Sequence, residues 1–364
     1  MCVTVYSNNI NVTTYSNIIK NQELTKMKKI FTTLLLSALT ITSIFSSGTK
    51  EGALEKTKMN EPIQVGISKM VSHPALDAIE QGIQDSINQS GLDVVFDLQN
   101  SNAEMSTAIG IAQLFKSEKK DMVIGIATPP AQALASVFDD VDTPVLFAAV
   151  TDPEAAGLTY EEGEDTNVAG VSDLNPIDLQ IEYFVKVTSL KRFGMIYTSG
   201  EANGVAMMER AKAYCEANDI EFVGAAVSNS SEVKSAALSI AGRVDGMFIA
   251  NDNTVVSALA SVDQVCTQYN LPLFNSDVTS SHDTNFLMSW GLDYYKVGLI
   301  CGDVAVQIMN GEKPKNIGAM YLTDIKQFQL YLNLDRAKEL GITFPQDVLD
   351  AASLTVENGK IIEK

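Results

Sequence analysis

The sequence has few of the residues that enzymes most often use for catalysis. Its 364 residues include two histidines, four cysteines and one tryptophan. It contains no H-E-x-x-H, C-x-x-C or G-x-S-x-G motif, and neither of the glycine-rich phosphate loops, G-x-G-x-x-G and G-x-x-x-x-G-K-[ST]. The sequence therefore lacks the motifs by which zinc proteases, α/β-hydrolases, dehydrogenases and P-loop NTPases are identified.

Positive charge is scarce as well. Lysine and arginine together number 26 against 45 aspartates and glutamates, which gives a formal net charge of −19. Nucleic acids and anionic membranes attract basic surfaces, so we expect neither to be the main partner. Three cysteines beyond the N-terminal region, Cys215, Cys266 and Cys301, are widely spaced and odd in number, which favours buried thiols over a disulfide framework or a metal site.

The N-terminal region has the layout of an export signal. A pair of lysines precedes an apolar stretch over 30–45, and small residues follow it. This order is typical of a secretory signal peptide, and the stretch is too short and too rich in Thr and Ser for a membrane span. We predict a leader over 1–48 with Met27 as its true start, and an exported, periplasmic or otherwise extracytoplasmic protein. No cysteine lies near the cleavage region, so a lipid anchor is not expected.

Beyond a charged linker over 49–61, apolar strands alternate with amphipathic helices. Two stretches, MVIGIATPPAQALASV over 122–137 and MFIANDNTVVSALASV over 247–262, align without a gap and share the ending ALASV. Strict alternation of buried strands and helices predicts parallel sheets that are covered on both faces. The internal similarity predicts two doubly wound α/β lobes.

The first of these stretches offers groups that suit a carboxylate. In open parallel sheets, ligands bind beyond the carboxyl ends of the strands. Thr128 follows such a strand and provides a hydroxyl. The helix after the two prolines presents the N–H groups of Ala131 and Gln132 at its positively polarised start.

The second stretch and the next strand end in carboxylates that suit an ammonium group. Asp252 lies in the junction NDNT, and Asp277 follows the strand LPLFNS. An alternative interpretation is that Asp252 or Asn253 only caps the helix that begins there. The sequence leaves open which of the two aspartates contacts a ligand.

Seven phrases between residues 62 and 345 carry a family resemblance: SHPALDAIEQGI, IATPPAQALA, AVTDPEAAGL, VSDLNPIDLQIE, NSSEVKSAA, NDNTVVSALA and GLDYYKVGLICGDVAVQIMNGEKP. In this order they resemble the periplasmic substrate-binding components of ABC transporters in the tryptophan/tyrosine-binding-protein-like family. The resemblance implies the type I periplasmic-binding fold, in which two lobes joined by a three-strand hinge close over a ligand. It also implies the lobe bounds, 62–172 plus 293–324 for lobe 1 and 173–292 plus 325–364 for lobe 2.

The family's cleft, carried over position by position, implies a set of ligand-binding residues. One wall would hold His73, Thr128, Ala131, Gln132, Thr151 and Asp152, and the other Ser199, Glu201, Asn203, Asp252, Asn253 and Asp277. Two positions depart from the family's usual pattern, because Gly200 replaces a serine and Asn251 stands where threonine is common. Aromatic side chains could stack on a planar ligand, although core packing is their commoner role; the candidates are Phe147, Tyr197, Trp290, Tyr294 and Tyr295.

We interpret the chain as the solute receptor of an ABC importer, a monomer that catalyses no reaction and uses no metal or cofactor. The resemblance favours an aromatic amino acid as the ligand, with a branched-chain amino acid or a nucleobase-like solute as alternatives. The expected partner is an ABC permease in the membrane. The same fold would also serve a receptor that passes a ligand signal to a membrane kinase or chemoreceptor, and the sequence does not separate the two.

Overall fold

Two β-sheets, each flanked by helices, organise the residues that the computed structural model describes, which are 61–161, 164–280 and 285–364. The predicted leader over 1–48 and all but the last residue of the predicted linker lie outside the described residues. Glu61–Lys364 form one compact unit. Within the described residues, no helix combines the length and the apolar character needed to cross a membrane.

The strands fall into two sheets. The first has the order β11-β5-β4-β3-β1-β2, and the second β14-β13-β12-β10-β9-β8-β6-β7. All pairs are parallel except β10 with β12 and β13 with β14. The strands are β1 (Ile63–Lys69), β2 (Val94–Asn100), β3 (Met122–Ile126), β4 (Val145–Ala148), β5 (Val168–Ser172), β6 (Arg192–Thr198), β7 (Glu221–Val227), β8 (Gly246–Ile249), β9 (Leu273–Asn275), β10 (Met288–Leu292), β11 (Ala319–Tyr321), β12 (Phe328–Asn333), β13 (Leu354–Glu357) and β14 (Lys360–Glu363).

Helices connect the strands and cover the sheets. They are α1 (Pro74–Gln89), α2 (Met105–Ser117), α3 (Thr128–Val137), α4 (Ile177–Thr188), α5 (Ala202–Ala217), α6 (Val233–Ala241), α7 (Asn253–Ser257), α8 (Leu259–Gln268), α9 (Tyr294–Met309), α10 (Pro314–Ile317), α11 (Leu334–Leu340) and α12 (Gln346–Ala351). Short 3₁₀ turns lie at Ser230–Glu232 and Ile325–Gln327. The single helix predicted after β8 is instead two, α7 and α8, because the backbone of Ala258 leaves helical geometry (φ −112°, ψ 19°).

The chain passes between the two sheets three times. It leaves the first sheet after β5, returns to it between β10 and β11, and leaves again between β11 and β12. Three connections between two doubly wound sheets are the architecture that the sequence predicts, so the predicted fold class is confirmed. The residue bounds assigned to each lobe stay a prediction.

Apolar strands and helix faces form a core on both sides of each sheet. All five residues of β3 are buried, as expected for a central parallel strand. Four rings pack in series beneath the second sheet, since Phe248 lies 4.8 Å from Phe274 and 5.4 Å from Phe193, and Phe274 lies 5.6 Å from Phe184 between ring centroids. The thiols of Cys215, Cys266 and Cys301 are buried and free, which confirms the prediction made for them.

Helices α1 and α9 approach each other closely through glycine. A Cβ atom on Gly82 would lie 2.4 Å from the carbonyl oxygen of Tyr295, and one on Gly298 would lie 2.4 Å from that of Ile79. Only a residue without a side chain allows the two backbones to come this near. Because α9 follows β10 of the second sheet and α1 follows β1 of the first, this contact anchors the return crossover to the first lobe.

The contact predicts that Gly82→Ala destabilises the protein. The added methyl meets backbone atoms that cannot rotate away, so we expect a loss of about 1–3 kcal/mol in the free energy of unfolding. Gly110 is the matched control, because it lies within α2 and a Cβ atom there meets nothing within 4 Å. Gly110→Ala should leave stability unchanged or raise it by up to about 1 kcal/mol. Chemical denaturation of both variants measures the difference, and equal effects would contradict the close contact.

Candidate ligand-binding site

A cavity lies where the strand ends of the two sheets face each other. Its lining comes from the start of α1, the loops after β4, β5, β8 and β9, and the starts of α7 and α9; the residues are His73, Ala75, Leu76, Ala149, Thr151, Asp173, Asn251, Asp252, Asn253, Val256, Asp277 and Tyr294. The volume of the cavity that is open to water is about 20 Å³. That is room for roughly one or two water molecules.

Asp173 provides a carboxylate at the hinge end of this cavity. It follows β5 directly and is 3% exposed. Its Oδ2 accepts hydrogen bonds from the hydroxyl of Tyr294 and from Nδ2 of Asn251, each at 2.8 Å. Its Oδ1 is buried and has no hydrogen-bond partner. Burial raises the pKa of Asp173 above its ordinary value, and the hydrogen bonds from Tyr294, Thr151 and Asn251 oppose that rise.

Asp277 is the second carboxylate of the lining, and it is bonded within its own turn. Its Oδ1 accepts from the backbone N–H groups of Thr279 at 2.8 Å and Ser280 at 3.3 Å, and its Oδ2 accepts from the Ser280 hydroxyl. Burial raises the pKa of Asp277 to about 6. The predicted ligand residue therefore reaches the cavity, and local donors hold both of its oxygens.

Asp252 caps helix α7 and also joins it to the end of β6. Its Oδ1 accepts from the Val255 N–H at 3.0 Å and the Thr198 hydroxyl at 2.7 Å, and its Oδ2 accepts from the Thr198 N–H at 2.6 Å. Glu201 acts on the same helix start, because its Oε1 accepts from the N–H of Thr254 at 3.0 Å and from its hydroxyl at 2.6 Å. The capping alternative for Asp252 is thus realised, although Asp252 also lines the cavity.

The first-lobe helix start chosen from the sequence, that of α3, does not contribute to the cavity lining. The Thr128 hydroxyl is buried without a partner. Ala131 is fully buried in the core, where a Cβ on Gly125 would lie 2.6 Å from its backbone. Gln132 donates from Nε2 to the Ala156 carbonyl at 3.0 Å. A ligand contact by these three residues stays a prediction that their placement does not favour.

Four further predicted residues also lie outside the lining, and one of them is Glu201, which acts on the start of α7. Ser199 is exposed and donates to the Val227 carbonyl at 3.3 Å. Asn203 donates from Nδ2 to the Asn251 carbonyl at 2.7 Å, so it supports a lining residue from behind. The carboxylate of Asp152 pairs with the Arg210 guanidinium at 2.5 Å, and this ion pair joins the loop after β4 to α5.

His73 lines the cavity from the first lobe, at the N-cap position of α1. Its side chain makes no capping hydrogen bond. Both ring nitrogens are shielded from solvent and have no partner. Burial lowers the pKa of His73 to about 4. The Asp77 carboxylate opposes this fall in pKa, and the Lys69 ammonium adds to it. The ring is therefore neutral at pH 7.

Sequence analysis missed Asp173 and Asn251 as site residues and gave Tyr294 only as a stacking ring. Asp173 stands directly after the stretch VAGVS, and so follows a predicted strand as Asp252 and Asp277 do. The lobe bounds implied by the family resemblance place it at the junction of the two lobes, so the sequence indicates a connection there and not a site. The hydroxyl of Tyr294, rather than its ring face, makes the contact that matters for Asp173.

Comparison with known proteins shows the family of the chain. Residues 64–356 match the family described as ABC transporter substrate binding protein. The chain belongs to this family. A tyrosine-binding protein of Clostridioides difficile (strain R20291) is 30% identical over 349 residues, which cover 93% of this chain and 97% of the relative.

Solved structures of related substrate-binding proteins share the fold. An ABC domain from Streptococcus pneumonia in complex with L-Trp is 33% identical, with a TM-score of 0.75 over 80% of this chain and 100% of that one. A ligand-free, open substrate-binding protein with adhesive properties from Clostridium difficile is 30% identical, with a TM-score of 0.59 over 81% of this chain and 99% of that one. The recognition of the family and of its type I fold from the sequence is therefore confirmed.

The capping role of Asp252 predicts a pH-dependent effect of Asp252→Asn. Burial and the Glu201 carboxylate raise the pKa of Asp252 from 3.8 to about 7. Between those values the folded chain keeps a proton that the unfolded chain has released, so this group's contribution to stability falls as pH rises. We expect the variant to be less stable than wild type by about 1–3 kcal/mol near pH 5, because an amide nitrogen cannot accept a hydrogen bond, whereas both oxygens of the protonated acid can.

That deficit should shrink toward pH 8, since the asparagine variant lacks the titration. Thermal unfolding of both unliganded proteins across this range measures the gap. His73, whose lowered pKa acts in the opposite direction, is present in both proteins and cancels in the difference. A gap that is constant or widens with pH would contradict the assignment.

Proposed function

We propose that this protein is an exported receptor that binds an aromatic L-amino acid between its two lobes and delivers it to an ABC permease in the membrane. Membership of the substrate-binding family supports a small-molecule ligand and a permease partner. The leader predicted over 1–48 supports an extracytoplasmic location. The protein acts by binding alone, as a monomer and without a metal or cofactor.

The observation that carries the proposal is the unpaired Oδ1 of Asp173 in the cavity. A buried carboxylate oxygen without a donor is costly and calls for a cationic partner. The ammonium group of an amino acid supplies both the charge and the N–H donors. Asp277 and Asp252 add two more carboxyl groups to the same lining, which favours a cation there over an anion.

Two relatives support an aromatic side chain on the ligand. One is named a tyrosine-binding protein, and the other was solved in complex with L-Trp. The structure as a whole is also more similar to the Trp complex than to the open, ligand-free relative, with TM-scores of 0.75 and 0.59.

The size of the cavity implies that the lobes move. About 20 Å³ is too little for an amino acid, so a ligand enters only when the lobes separate. Rotation about the three connections is the hinge motion that such folds use. An arrangement closed around the ligand, with a larger cavity than the present one, then gains the ligand's contacts with both walls, which shifts the population away from the open state.

The test is a binding screen on the purified protein. We expect L-Trp and L-Tyr to raise the melting temperature, with L-Leu and nucleobases having smaller or no effects. A ligand at 100 times its dissociation constant stabilises the folded state by about 2.7 kcal/mol, which is readily detected. Mass spectrometry of any small molecule released on denaturation identifies a ligand acquired during expression. Stabilisation by leucine or a nucleobase, and not by aromatic amino acids, would overturn the ligand class.

Asp173→Asn should weaken binding far more than it weakens the fold. The variant keeps an oxygen for the Tyr294 hydroxyl but loses the negative charge that faces the ligand's ammonium. We expect a loss of about 1.5–3 kcal/mol, or roughly 10- to 150-fold in Kd, by calorimetric titration. Asp277→Asn is the comparison, because the oxygens of Asp277 are held by the turn at Ser280. A larger loss in Asp277→Asn would move the ammonium site to that residue.

A further inference from the structure

The cavity lining contains two side chains with buried polar atoms that have no partner, and they differ in chemistry. One is Asp173, whose Oδ1 can only accept while it is ionised. The other is His73, whose two ring nitrogens have no partner. A neutral imidazole has one N–H donor and one acceptor nitrogen, so His73 can donate one hydrogen bond into the cavity.

Other side-chain donors of the lining are already engaged. The Tyr294 hydroxyl and the Asn251 amide donate to Asp173, and the amide of Asn253 donates to Glu201 at 2.6 Å. The Thr151 side chain also acts on Asp173, because it opposes the rise in that carboxyl's pKa. An anionic group of a ligand would therefore find a side-chain donor at His73 and not at the hinge.

The backbone next to His73 adds two more donors. Pro74 is the first residue of α1 and has no N–H. The N–H groups of Ala75 and Leu76 belong to the first turn, where no carbonyl of the same helix can accept from them, whereas the N–H of Asp77 bonds to the His73 carbonyl at 3.0 Å. Ala75 and Leu76 both line the cavity. The start of this 16-residue helix also carries partial positive charge.

We infer that the ligand's α-carboxylate is held at the start of α1, by the imidazole N–H of His73 and the N–H groups of Ala75 and Leu76. The ammonium then lies at Asp173, so the two ends of the zwitterion meet the two unpartnered side chains of the lining. The inference rests on the proposed function, because it needs an amino acid as ligand. It assigns the carboxylate to α1 and not to α3, whose start is absent from the lining.

A comparison of two ligands on two proteins tests the assignment. L-Trp has the carboxylate, and L-tryptophanamide replaces it with a neutral amide while keeping the ammonium and the indole. We expect wild type to prefer L-Trp by roughly tenfold or more, and His73→Leu to reduce that preference to about threefold or less, the change expected when a hydrogen bond to a charged group is lost. The reduction should come from weaker binding of L-Trp, with the affinity for the amide nearly unchanged.

Two further variants separate this role from a structural one. His73→Gln retains an N–H donor and should keep part of the preference. Ser72→Ala removes the neighbouring hydroxyl, which donates to Asp77 at 2.8 Å, and should leave the preference as in wild type. The melting temperature of each unliganded variant reports separately on folding.

The outcomes distinguish this inference from the proposed function. Equal losses of L-Trp and L-tryptophanamide affinity in His73→Leu would overturn the carboxylate assignment alone and place His73 beside the ligand's ring. The same holds if the preference for L-Trp survives in full. If wild type binds neither L-Trp nor L-Tyr, the proposed function fails and the carboxylate assignment fails with it.

Discussion

The buried carboxylate of Asp173 is the point on which both the fold and the site depend. It follows the last strand of the first sheet before the chain crosses over, and it accepts from Asn251 in the second lobe and from Tyr294 at the return crossover. Asn251 in turn accepts from Asn175 at 2.9 Å, so polar side chains link two of the three connections. This arrangement leaves Oδ1 of Asp173 without a hydrogen-bond donor. The free-energy penalty of burying that charged oxygen is offset only when a donor binds to it.

The contact at the rim of the cleft is weaker than those at the hinge. Asp152 and Arg210 form an ion pair between the lobes, but the Arg210 side chain is 44% exposed. Such a pair contributes roughly 0–1 kcal/mol, because water screens it and two flexible side chains must be ordered. Under the proposed function, closure therefore depends mainly on a ligand held between Asp173 and His73. A weak ion pair between the lobes would suit a receptor that must also release its ligand.

The sequence predicts the fold well because its signals are local. Apolar strands such as β3, and helices that start at proline or asparagine, are recognisable from their own residues, and their alternation implies parallel sheets. The site is predicted less well, since it depends on how two lobes face each other. The loop after β8 and the start of α1 reach the cavity, whereas the start of α3 has the same local signals and does not. Asp173, after β5, follows a strand end as Asp252 does. Because it lies in a connection between the lobes, its position in the sequence does not indicate a site residue.

The two aligned stretches show how a repeated unit acquires different functions in the two lobes. In the first, Ala127 with φ 76° joins β3 directly to α3, and the helix start packs against its own strand at Gly125. In the second, Ala250, Asn251 and Asp252 separate β8 from α7, and Asn251, Asp252 and the first helical residue, Asn253, line the cavity. Capping there requires the carboxylates of Asp252 and Glu201, and this fixes the loop so that Asn251 can reach Asp173. In the first lobe α1 takes the place facing the cavity, which leaves the polar junction of the second lobe opposite a helix start suited to an anion.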